Sequence, residues 1–234
     1  MAISVDNVYK TVLTILNKEN RGYVTPREFN DYARQSQLEI FESYFSAANR
    51  AVGNESDYSD TVRNVGEKIS YFENEASLSK SNFTNYNTFS TPDYYAYPAD
   101  FYRLGIVNAA GVFVQEISNR DYLFVSKAPL TTPTITNPVY LLHERGLVVK
   151  PTALTTVNIS YVRKPNSPSW VGTSVAGQII ATPANAAYND FELHKSEETE
   201  LVAKIVGLAG VTIKAIDVAQ VAAQKETQII QSEQ

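Results

Sequence analysis

The stretch "YVTPREFNDYARQSQLEIFESYFSAANRAV" (23–52) constrains the fold more than any other part of this chain. Thr25 stands where an N-cap belongs, Pro26 occupies the first helical position where its missing N–H costs nothing, and Glu28 follows the cap by three residues. Together they form a capping box, in which each side chain satisfies a backbone donor near the helix start. Behind it Phe29, Tyr32, Ala33, Ile40, Phe41, Tyr44, Phe45 and Ala48 recur at helical spacing. The pattern predicts a helix over about 26–51 with a broad apolar face that other elements must cover.

Two further helices are expected at the N-terminal end. Val5, Val8, Tyr9, Val12, Leu13 and Leu16 keep helical spacing until "NRG" at 20–22. Val62, Val65, Ile69 and Phe72 do the same over 57–75. The grammar then changes. "SLSKSNFTNYNTFSTPDYYAYPADF" (77–101) is polar, aromatic and broken by proline, which suits an extended loop or short strands. From 101 to 163 short β-type runs alternate with turn signals, with an Ala-Gly turn at 110–111 and a hairpin turning at Arg145-Gly146. In "TTVNISYVRKP", Val157, Ile159, Tyr161 and Arg163 share one strand face, because alternate residues point the same way. Residues 164–189 read as a loop with prolines at 165, 168 and 183 and the single tryptophan, Trp170.

The expected architecture is α+β: N-terminal helices, a central antiparallel β-module, and a C-terminal helix that packs with the N-terminal helices and ends in an extended tail. The corresponding segments are 1–76, 77–189 and 190–234, with 1–76 and 190–222 forming one helical unit.

The stretch most suggestive of chemistry is "DFELHKSEETELVAKIVGLAGV" (190–211), where His194 precedes Glu197 and Glu198. A zinc helix of the HExxH type needs two histidines four residues apart, and the other histidine of this chain, His143, lies in a hairpin. A helix start explains every residue instead. Ser196 serves as N-cap, Glu197, Glu198 and Glu200 favour the positive end of the helix dipole, and Leu201, Val202, Ile205, Val206, Leu208 and Ala209 supply a buried stripe. "GLAG" (207–210) reads as a close helix crossing or a break near Gly210. Asp100, Glu116 and Asp121 read as turn and cap residues rather than an acidic site. Neither a phosphate-cradling glycine loop nor a GxSxG elbow occurs, so the sequence assigns no catalytic, cofactor-binding or metal-binding residue and predicts a protein that is not an enzyme.

Charge and composition exclude further classes. Cysteine is absent, which removes disulfides, thiol nucleophiles and cysteine-ligated zinc. The net charge is −5 and uneven: −4 over 53–76, +3 over 77–189 and −4 over 190–234. No cluster of Lys and Arg marks a nucleic-acid footprint. "MAISVDNVYKTVLTIL" has no secretory pattern, and no run approaches the ~20 apolar residues of a membrane span, so synthesis in the cytoplasm and no membrane partner are expected. Fifteen tyrosines and ten phenylalanines suit surfaces that meet other proteins. The candidate interface residues are Phe89, Tyr94, Tyr95, Tyr97 and Trp170, with Lys225, Ile229 and Ile230 on the polar tail. The same aromatic loops suggest, as an alternative, a ligand- or carbohydrate-binding module with Trp170 and the tyrosines as a stacking platform.

Three stretches carry a resemblance: "YPADFYRLGIV" (97–107), "SYVRKPNSP" (160–168), and 190–211 followed by "VAAQKETQ" (221–228). Their order resembles the tail-tubular-protein-A-like adaptors of short-tailed phages, and is most similar to the ring or connector proteins of crAss-like phages. The long helical region 1–76 and the "KETQIIQSEQ" tail depart from the short-tailed adaptors. The resemblance implies a virion structural protein of the phage neck. It implies a homo-oligomeric ring, a dodecamer, between the portal and adjacent neck or tail proteins, with DNA passing through the channel without specific binding.

Overall fold

In a computed structural model the described residues are 3–17, 24–53, 60–81, 94–144, 146–175, 178–212, 224–225 and 227–228. They make an α+β protein of two compact units, one from residues 1–68 and 165–234 and the other from 69–164. The boundaries differ from those the sequence suggested. The β-unit starts before 77 and ends at 164, so the proline-rich run 165–189 belongs to the helical unit.

The helical unit contains α1 (Val5–Asn17), α2 (Pro26–Gly53), most of α3 (Asp60–Ser70) and α5 (Glu198–Thr212), which packs against α1 and α2. The capping box forms as read: the Thr25 amide donates to Glu28 Oε2 at 2.9 Å, and the Glu28 amide donates back to Thr25 Oγ1 at 3.3 Å. Of the α2 stripe, Phe29, Ala33, Ile40, Phe41, Tyr44 and Phe45 are buried. They meet the buried faces of α1 (Val5, Val8, Tyr9, Val12, Leu16) and α5 (Leu201, Ile205, Val206, Ala209) in one unit.

Two polar residues sit inside that stripe. Asn30 and Gln37 are seven residues apart, hence on one face of α2, and both hold the chain that follows 164. Asn30 Nδ2 donates to the Trp170 carbonyl at 3.0 Å, and the Trp170 amide donates to Asn30 Oδ1 at 2.8 Å. Gln37 Nε2 donates to the Asn166 carbonyl at 2.7 Å, while its Oε1 accepts from the Glu192 amide at 3.1 Å. Gln37 is buried and Asn30 half-buried, so both amides rely on these partners, and each fixes a loop as well as itself. Further on, Ile3 and Phe191 exchange backbone hydrogen bonds, and Asp190 Oδ1 accepts from the Val5 amide at 2.9 Å. The region read as a loop also contains an antiparallel hairpin, β9 (Gly172–Val175) with β10 (Gln178–Ala181).

The β-unit contains β1 (Glu73–Ser81), β2 (Tyr94–Ala96), β3 (Phe101–Ala109), β4 (Val112–Phe113), β5 (Gln115–Glu116), β6 (Val139–His143), β7 (Gly146–Lys150) and β8 (Thr156–Arg163), plus a short helix α4 (Asn119–Val125). The order across the sheet is β4-β3-β8-β1-β2-β7-β6-β5. Its two ends are consecutive pieces of one run of chain: β4 pairs antiparallel with β3, and β5 pairs parallel with β6. Between them the Val114 amide donates to Val107 at 3.0 Å and the Gln115 amide to Pro138 at 3.1 Å. The sheet therefore closes on itself. Closure removes the open edges that would otherwise invite pairing with another chain.

Inside lie Leu78, Tyr95, Val107, Ala109, Val114, Tyr140, Leu147, Val149, Leu154, Val157, Ile159 and Tyr161. The Ala110-Gly111 turn forms with φ of 52° and 82°, the two left-handed positions that a tight two-residue hairpin requires. The predicted helix over 57–75 ends at Ser70. Residues 73–79 instead pair with β8 as a strand whose inward residues are only Ala76 and Leu78. Too few apolar residues alternate there to announce a strand, and the pairing with β8 decides it.

Candidate interaction surfaces

The cluster around His194 is a helix start, but with a different cap from the one expected. His194, not Ser196, is the N-cap of a 3₁₀ turn, Lys195–Glu197, that leads into α5. Its Nδ1 accepts from the Ser196 amide at 3.3 Å and lies 2.8 Å from the Ser196 hydroxyl. Glu197 and Glu200 are buried rather than displayed to solvent. Glu197 Oε1 is 2.7 Å from Lys68 Nζ on α3, and the ammonium also lies 5.6 Å from the Tyr44 ring centre. Lys204 reaches both Glu39, at 3.8 Å, and Glu200, at 3.9 Å. These carboxylates are thus paired with cations. Among the described residues no group of His, Asp and Glu is placed to hold a metal ion.

Because His194 supplies the cap, His194→Ala should destabilise the helical unit by about 1 kcal/mol, His194→Asn should restore it, and Ser196→Ala should cost less. Urea unfolding of the three variants measures the order.

The aromatic candidates divide. Tyr95 is a core residue of the barrel, and its hydroxyl donates to the Leu154 carbonyl at 2.6 Å. Trp170 is 3% exposed. Its ring lies 4.3 Å from that of Tyr9, and its Nε1 donates to Asp6 Oδ1 at 3.0 Å. Neither ring has a face left for a partner or a sugar, which corrects the expectation for both. An aromatic residue in a polar, proline-rich run reads as surface only while its long-range neighbours are unknown. Tyr94 and Tyr97 are half-buried, and Tyr97 stacks on Phe101 at 4.0 Å. Lys225 is exposed, and the described tail residues 224–225 and 227–228 are helical. Phe89, Ile229 and Ile230 fall outside the described residues.

Burial and the nearby Glu116 push the Tyr140 phenol up to about 12, and its hydroxyl donates to Glu116 Oε2 at 3.2 Å. A raised folded-state pKa contributes stability below the ordinary tyrosine range, near 10, and that contribution is lost as pH rises through 12. An alkaline absorbance titration should therefore show a late-ionising component that Tyr140→Phe removes.

Apolar side chains do reach the surface, in places the periodicity did not mark. In the β-unit the crossover from β5 to β6 carries Leu123, Phe124, Leu130 and Ile135, all exposed, and α4 within it buries none of its residues. In the helical unit Ile179 and Ile180 of β10 are about half exposed. For Leu130, Ile135, Ile179 and Ile180 a signal was present in the sequence: 128–142 and 165–189 contain no charged residue at all, whereas Leu123 and Phe124 lie between Asp121 and Lys127.

No family model matches this chain, and no curated protein matches it. Among the described residues no helix is long and apolar enough to cross a membrane.

Proposed function

We propose that this chain is a structural subunit of a tailed-phage virion, a ring-forming head-to-tail connector that joins the portal to tail components around the DNA channel. The observation that carries the reading is where the exposed apolar residues lie. Leu130 is 99% exposed, and Ile135, Ile179 and Ile180 accompany it on two charge-free segments, with Leu123 and Phe124 exposed shortly before the first of them. Large apolar residues on charge-depleted surface are what protein–protein interfaces use. The three resemblance motifs point to the neck among such assemblies. "YPADFYRLGIV" covers the turn into β3 and most of that strand, "SYVRKP" the end of β8, and 190–211 the start and body of α5. They thus fall on the framework of both units.

The acidic balance fits passage of DNA. A basic lining would gain affinity from released counterions and make the duplex stick. Negative segments such as 53–76 and 190–234 repel it over about 10 Å at physiological salt. Negative-stain imaging of the purified protein, alone and with its portal, tests the reading. Closed rings of many copies are expected, together with a ring at the particle neck. A single copy per particle, or tight duplex binding at physiological salt, overturns it.

A further inference from the structure

No further inference is drawn: the strongest candidate, the apolar surface of the crossover from β5 to β6 where Leu123, Phe124, Leu130 and Ile135 are exposed, carries nothing because nothing in the structure shows what covers it.

Discussion

Lys68→Ala should destabilise the helical unit by about 3 kcal/mol, the largest effect expected of any single charged residue here. Glu197 is buried, and its carboxylate relies on the Lys68 ammonium 2.7 Å away. Removing the cation leaves a negative charge with little solvent to stabilise it, which costs far more than losing an exposed ion pair. Glu197→Gln should cost less, because the Lys68 side chain is 22% exposed and its ammonium can turn toward water. The double variant should recover much of the loss, which a double-mutant cycle measures. Trp170 is the only tryptophan and lies in the same unit, so its fluorescence during urea unfolding follows that unit directly. An unchanged midpoint for Lys68→Ala would show that Glu197 is not electrostatically dependent on it.

Trp170→Ala should cost about 3–5 kcal/mol, since a large buried ring is replaced by a cavity. The ring packs on Tyr9, which itself meets Phe29 edge-on at 4.8 Å, so the cavity opens beside α1 and α2 together. Circular dichroism melting should show a fall of roughly 10 °C. Trp170→Phe separates packing from hydrogen bonding: it keeps most of the ring contact and strips one donor from Asp6, for about 1–2 kcal/mol.

The pH dependence should shift as well. Burial pushes the Asp6 carboxyl up, but hydrogen bonds from Lys10 and Trp170, and the charge of Lys10, outweigh it and hold the group below the usual carboxylate range. A lowered folded-state pKa contributes stability above the unfolded value, and this is lost as pH falls through the folded one. Trp170→Phe should narrow that acid-sensitive window. The same scan with Trp170→Ala showing wild-type stability would mean that the proline-rich run is not anchored by its tryptophan.

The surface was only half legible. Aromatic content pointed to interfaces, but the rings it singled out at Tyr95 and Trp170 fill cores, while most of the exposed large apolar residues are aliphatic and the exposed aromatic ones are Tyr71, Phe113 and Phe124. Residue type alone could not separate the two, because a buried and an exposed aromatic residue in a polar loop have the same local sequence. For Leu130, Ile135, Ile179 and Ile180 the missing signal was charge depletion over a long window; Ile106, Phe113, Leu123 and Phe124 carry no such signal.

What the sequence determined is what short-range physics controls. Thr25, Pro26 and Glu28 start α2 because all three act within one helical turn. Ala110-Gly111 turns β3 into β4 because two adjacent residues take left-handed conformations. Val157, Ile159 and Tyr161 face inward because alternation is a property of the strand itself. The tertiary structure decided everything whose partner lies far along the chain. His194 became a cap and Glu197 a buried partner of Lys68. Trp170 entered a core through Asp6, 164 residues away, and Asn30, 140 residues away. The run 112–116 closed the sheet by touching β3 and β6 at once, and β1 became a strand because β8 lay beside it. In each case a buried polar group or open edge had to be satisfied, and the partner that satisfied it could not be read from the residues around it.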